Sequence, residues 1–373
     1  MKYKILIFLY TALLCIACND MHDFENPATL PDTGNDWGYM YVLCEGLFNH
    51  NNSTLACIDY DAHTMYYDFF NENGNNKRGL GDTANDMKRY KNQLWIVVCT
   101  SSQIEVMDLF SGKSIKQIPF FKEENGIKTA RQPRNIIFHE DKAYVCSFDG
   151  TVSRINTITF EIEATTQCGR NPDGIAYANG KLYISNSGGL DAQGAVGLTY
   201  DNTVSVVDLK TFSEIKKIEI GINPHRIATD SEGDIYVISR GNHGNIKARL
   251  HLISSQTDTL IKTFDDLDAV NLVIENDIAY MYNYDITDNT YWIKTFDCKE
   301  EKVLSGHFIA DATELICPFG IYVHPITGDV FISDVKDYTT WGDIFCFTKE
   351  GKLRYKIEEV GLNPNTFLFV QNE

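Results

Sequence analysis

Residues 168–189 read CGRNPDGIAYANGKLYISNSGG, and residues 201–221 read DNTVSVVDLKTFSEIKKIEIG. Pro172 opens a short apolar run. The Asn179-Gly180 pair, the strongest short hairpin signal between two apolar runs, turns it into an aromatic and β-branched strand. A loop follows, then an alternating strand ending at Asp208, a tight turn and an outer strand. These segments predict a four-stranded meander over residues 172–219.

The unit recurs. It restarts at Asn85 (NDMKRYKNQLWIVVC), Pro133 (PRNIIFHEDKAYVCS), Pro224 (PHRIATDSEGDIYVIS), Asp268 (DAVNLVIENDIAYMYNY) and Pro318 (PFGIYVHPITGDVFISD). The starts lie roughly 40 to 50 residues apart, the period of propeller blades. A lone meander cannot bury both faces of its sheet, so neighbouring units must stack. Two fragments remain. Residues 39–70 hold three strand-like runs (YMYVLCE, TLACIDYDA, TMYYDFF) without a first strand, and residues 364–370 (PNTFLFV) form a first strand without the others. Joining them completes a seventh blade and removes the open edge of the ring. The expectation is an all-β, seven-bladed β-propeller over residues 39–373, closed by the C-terminal strand.

The N-terminus has a different character. Lys2 and Lys4 precede the apolar run Ile5 to Leu14, which is too short to span a bilayer. Leu14-Cys15-Ile16-Ala17-Cys18 then resembles a bacterial lipobox. Residues 1–17 are thus expected to be a lipoprotein signal peptide and Cys18 to be lipidated. Residues 18–38, with Asp20, Asp23, Glu25, Pro27, Pro31 and Gly34, are expected to be a tether. The acidic residues just after Cys18 resemble the surface-export signal of Bacteroidetes lipoproteins. The expected location is the outer membrane, facing outward.

The formal net charge of −18 argues against a nucleic-acid partner, which needs a basic face. Beyond the leader, the eight cysteines (44, 57, 99, 146, 168, 298, 317 and 346) stand singly. No C-x-x-C pair suggests zinc, and spacing does not give a disulfide pairing.

In a meander, the 1–2 and 3–4 turns share one end of the blade. The 2–3 loops and blade-to-blade connections share the other. Turns of the first kind are short, as at 140–141, 179–180 and 350–351. Those of the second kind are long: 46–53, 71–86, 119–134, 186–202, 239–248, 283–290, 305–318 and 334–342. Long loops gathered on one face mark a binding surface. On it, Phe48, Phe148, Tyr200, Tyr284, Phe319, Tyr338 and Trp341 offer flat apolar area. Arg131, Arg134, Arg170, Arg226 and Arg240 offer donors, in part paired with Asp149, Asp173, Asp191 and Asp334. Asn85, Asn135, Asn171 and His225 add polar edges. Aromatic planes beside amides suit a bulky polar ligand. No local catalytic pattern such as H-E-x-x-H or G-x-S-x-G is present. No metal site is expected, although Glu45, Asn186 and Asp334 could converge as a lactonase-like cation site.

The N-P-x-x-I…G-x-[LI]-Y repeats at Asn171-Pro172 and Asn223-Pro224 resemble the YncE-type seven-bladed propellers. The stretches Glu45-Gly46-Leu47-Phe48-Asn49-His50-Asn51-Asn52-Ser53-Thr54-Leu55 and Leu80 to Met87 resemble the propeller lipoproteins of Bacteroides surface loci, including the BtuG cobalamin-binding branch. That resemblance implies a non-enzymatic surface lipoprotein. It would capture cobalamin or another corrinoid as cargo, not as cofactor, and hand it to a TonB-dependent, BtuB-like outer-membrane transporter, touching the membrane through its lipid only. The rival readings are a surface glycan-binding lipoprotein and a propeller hydrolase, lactonase or cyclotransferase.

Overall fold

The computed structural model describes residues 38–371 apart from 74, 76 and 195–198. The signal peptide, Cys18 and nearly all of the tether lie outside the described residues. Seven four-stranded antiparallel sheets form a ring. Blade 1 joins Pro364–Val370 to Tyr39–Cys44, Thr54–Asp59 and Thr64–Tyr66. Blades 2 to 7 open with inner strands Ala84–Tyr90, Pro133–His139, Pro172–Ala178, Pro224–Thr229, Asn271–Glu275 and Pro318–Val323, and each continues outward in chain order.

The closing strand pairs with Tyr39–Cys44 from Tyr39↔Val370 to Cys44↔Pro364, with one irregularity at Leu43/Cys44. Both of its faces pack. Val370 is buried and Leu368 partly buried against the core shared with blade 2, while Phe367 and Phe369 turn the other way onto blade 7. This alternation follows from the two-residue period of a strand. Elsewhere each core is likewise shared by adjacent blades, as where Trp95 and Val97 of blade 2 meet Ile136 and Val145 of blade 3.

The structure corrects three local expectations. The run TMYYDFF is a strand only over Thr64–Tyr66. Phe69–Glu72 is a helical turn capped by Asp68, which lets Phe69 and Phe70 bury themselves in the core shared by blades 1 and 2. The segment 283–290 is not a long loop, since Ile278–Asp285 and Thr290–Asp297 extend as a hairpin with residues 286–289 at its tip. The 119–134 connection contains its own exposed hairpin, Phe121–Glu124 paired with Ile127–Ala130. All eight described cysteines are buried and free. No helix among the described residues is long and apolar enough to cross a membrane.

Candidate functional site at the axial mouth

The blade-opening turns share one device. Asn171, Asn223 and Asn363 adopt left-handed φ values of 46°, 62° and 54°, a conformation Asn tolerates better than most residues. Gln132 and Thr83 take the same turn at 55° and 62°. Each carbonyl then accepts the N–H of the residue just past its blade's second strand: Ser187 to Asn171 (3.1 Å), Arg240 to Asn223 (2.8 Å), Glu45 to Asn363 (2.9 Å), Phe148 to Gln132 (3.0 Å) and Cys99 to Thr83 (2.8 Å).

The inner strand starts next, and its ladder slips at once. Register shifts fall between Ala84/Asp86, Pro133/Asn135, Pro172/Gly174, Pro224/Ile227 and Pro318/Ile321. Such a bulge re-aims the extra residue. Here it releases Asn85, Arg134, Asp173, His225 with Arg226, and Phe319 at the long-loop end of the axis. Asn271 and Asn365 occupy the corresponding places in blades 6 and 1. One side chain from each blade therefore contributes to a ring around the mouth of the channel.

The ring is bonded across blades. Arg134 Nε donates to Asp173 Oδ1 at 2.9 Å, and the Arg134 guanidinium lies 4.6 Å from the Phe148 ring centroid. His225 Nε2 is 3.4 Å from Asp173 Oδ2. Asn85 Nδ2 donates to Glu45 Oε1 at 2.8 Å. Asn271 donates to the Phe319 carbonyl at 3.0 Å, which also accepts from the Tyr282 hydroxyl. Ser185 Oγ donates to the His225 carbonyl at 2.5 Å, and Ser333 Oγ to the Pro364 carbonyl at 2.6 Å, so second-strand serines tie one blade to the inner strand of the next.

Electrostatics follow from this crowding. Burial alone would raise the Asp173 carboxyl, but Arg134 above all holds it well below the usual carboxylate range. Burial, then Arg240, pushes His225 well below its ordinary value, so the imidazole is neutral at neutral pH. Burial raises Glu45 despite Arg134 and Arg226 nearby. Burial also lowers Arg240, with Arg226 and Arg134 acting in the same direction against Asp173.

Several polar atoms at this mouth have no partner among the described residues: Asn85 Oδ1, His225 Nδ1, Arg226 Nε, Arg240 Nε and Asn365 Oδ1. Beyond the ring, the inner strands enclose an axial channel of about 570 Å³, lined in part by Asp86, Asn135, Arg226, Asn271, Asn365 and Tyr322.

The expected site residues thus divide. Asn85, Arg134, His225, Arg226, Arg240 and Phe319 come together at the axis, with Phe148 beneath Arg134. Asn171 holds the Phe148 carbonyl at 3.0 Å, and Asn135 faces the channel. Tyr338, 38% exposed, stands edge-on to Phe319 with ring centroids 5.8 Å apart.

Others lie outward. Arg131 pairs with Asp149 at 3.6 Å near the inserted hairpin. Arg170 bonds the Thr199 carbonyl at 2.7 Å and lies 3.7 Å from Asp191. Tyr200 packs on His243, Tyr284 donates to Asn289, and Trp341 packs on Tyr67 at the seam of blades 7 and 1. Phe48 is 69% exposed in its loop.

Two expectations fail here. Asp334 pairs with no arginine, because its oxygens accept the N–H groups of Ile316, Cys317 and Lys336. The lactonase-like trio does not assemble either, since Asn186 is spent within its own blade on Gly169, Thr203 and Ser205. Among the described residues, no cluster of His, Cys, Asp and Glu could hold a metal ion. Conversely, Asp173 was expected only as an arginine partner, and Asn271, Tyr282 and Asn365 were missed. Aligning the residue after each blade-opening turn would have found all but Tyr282.

No family model matches the sequence, and no curated protein is significantly similar to it. Solved structures do match. A quinoprotein alcohol dehydrogenase-like protein from Bacteroides thetaiotaomicron superposes with a TM-score of 0.64 at 16% identity, over 90% of this chain and 78% of that one. Hydrazine synthase from Kuenenia stuttgartiensis gives 0.53 at 13% identity, over 69% and 74%. The Pan2 WD40 domain of Neurospora crassa gives 0.53 at 10% identity, over 72% and 78%. At these identities the likeness is one of fold: the chain is a seven-bladed β-propeller.

Proposed function

We propose that this protein is a non-enzymatic binding propeller that captures a bulky, amide-rimmed small molecule at the axial mouth of its long-loop face, with a corrinoid as the favoured ligand. The observation that carries the reading is the surplus of polar atoms at the mouth. Asn85, His225, Arg226, Arg240 and Asn365 each present a donor or acceptor that no described residue satisfies. Buried polar groups are ordinarily satisfied, so a site with this many open valences suits a ligand that supplies amide partners. Phe319 and Tyr338 add aromatic surface at the same mouth. The sequence resemblance to the BtuG branch supports the corrinoid and a hand-over to a TonB-dependent transporter. A lipid on Cys18 would keep the protein at the outer membrane.

Titration calorimetry of the full chain tests this with cyanocobalamin, cobinamide and a panel of neutral oligosaccharides. Binding of the corrinoids should weaken roughly 10-fold or more in Tyr338→Ala, as expected for an aromatic anchor. It should be unchanged in Lys349→Ala, on an exposed turn of the short-loop face. Binding of oligosaccharides alone would replace the corrinoid with the glycan reading. No binding of either would sink both.

A further inference from the structure

We propose that the axial mouth is an oxyanion site, in which a carboxylate or phosphate of the ligand bridges Arg226 and Arg240. This deepens the binding reading above and rests on it for the place where the ligand enters.

The argument begins with charge. Arg134, Arg226 and Arg240 bring three guanidinium groups to the mouth, against the carboxylates of Asp173 and Glu45. The three are unequally served. Arg134 is consumed by its 2.9 Å bond to Asp173 and by the Phe148 ring. Arg240 makes one long bond, 3.4 Å from Nη2 to the Val270 carbonyl, and its Nε has no partner among the described residues. Arg226 makes no ion pair with any described residue; its Nε is unbonded, and the side chain lines the axial channel. Asp173 is already shared between Arg134 and His225, and Glu45 is engaged by Asn85.

The Arg226 and Arg240 side chains are only partly buried, but their Nε atoms are shut away from water with no partner among the described residues, and a buried donor left unbonded is costly. On a chain with a formal net charge of −18, a local excess of cations is also the reverse of the general trend. Burial is the main cause of the depressed proton affinities of His225 and Arg240, and the neighbouring arginines push both in the same direction. Guanidinium forks match carboxylate and phosphate oxygens in geometry as well as charge, which selects an oxyanion over a neutral amide at this point of the ring.

The test uses the full chain with inorganic phosphate and with succinate, at ionic strength matched by chloride. Calorimetry should detect at least one of them, and thermal unfolding should show stabilisation over chloride. Phosphate alone or succinate alone identifies which oxyanion the site takes. Arg226→Gln and Arg240→Gln should each weaken that binding roughly 10-fold or more. In the absence of anion, Arg226→Gln should unfold at the same temperature as the parent or higher, because it removes an unpaired charge. Arg134→Gln, which breaks the bond to Asp173, should unfold lower.

If neither anion binds the parent, the inference is overturned even where cobalamin binds. Anion binding that survives both substitutions overturns it as well. So does an Arg226→Gln variant that is destabilised as much as Arg134→Gln, since the arginine would then be structural. Anion binding without corrinoid binding leaves this inference standing and removes the corrinoid.

Discussion

At the scale of single residues, the fold depends on buried side chains that close hydrogen bonds between the strands of a blade. His251 is one. It is 2% exposed on a middle strand of blade 5, with Nε2 2.8 Å from Ser239 Oγ and Nδ1 3.0 Å from Thr263 Oγ1. Burial, with Arg249 in support and Asp265 opposing, pulls its pKa down from 6.5 to about 4. The unfolded chain therefore binds this proton more readily than the folded one between those values, and stability rises with pH across the window. His251 should cost nothing above about pH 6.5 and up to about 3 kcal/mol as pH falls toward 4. Urea unfolding at pH 7 and pH 5 checks this. The parent should lose on the order of 2 kcal/mol more than His251→Gln between the two conditions; parallel losses would exclude the histidine as the cause.

Among the elements, the closing strand Pro364–Val370 carries the most consequence for its length. It donates Phe367 and Val370 to two different cores and sets Asn365 at the axial mouth. Deleting residues 364–373 leaves Tyr39–Cys44 as an unpaired edge beside open cores. Each lost large side chain is worth about 2 to 5 kcal/mol, comparable with the whole stability of many domains. The truncated chain should aggregate or unfold at far lower denaturant than the parent. A truncated form that melts with the full chain would rule out the closing role. This element was legible in the sequence because PNTFLFV is an orphan first strand and residues 39–66 lack one. The helical turn at Phe69–Glu72 was not, since TMYYDFF has strand-like composition and only the packing of Phe69 and Phe70 into the core between blades 1 and 2 bends it.

For the whole molecule, the ring gives two unlike ends: short turns at one, and long connections around an arginine-rich, under-bonded mouth at the other. If a lipid on Cys18 anchors the chain, the propeller reaches its ligand from a tether and needs no spanning segment of its own. Cys18→Ala should then release the protein from the outer membrane in fractionation, with unchanged unfolding of the propeller. Retention of the variant in the membrane fraction would discard the anchor.

What the sequence by itself determined was the blade: its period, its turns, the composite closure and the face bearing the long loops. Those follow from local chemistry, namely Asn-Gly turns, alternating apolar residues and Pro-opened strands repeated along the chain. The site was only half legible. Arg134, His225, Arg226 and Arg240 could be named as donors, but not that Arg134 is satisfied by Asp173 while Arg226 is not. The ring position recurs once per blade, yet it holds Asn, Arg, Asp, His, Asn, Phe and Asn in turn around the axis, so periodicity of composition does not reveal it. Only closure of the ring brings Glu45 of blade 1 within electrostatic reach of Arg134 and Arg226 in blades 3 and 5. Charge balance at the axis is a sum over blades far apart in the chain, and that sum exists only in the tertiary structure.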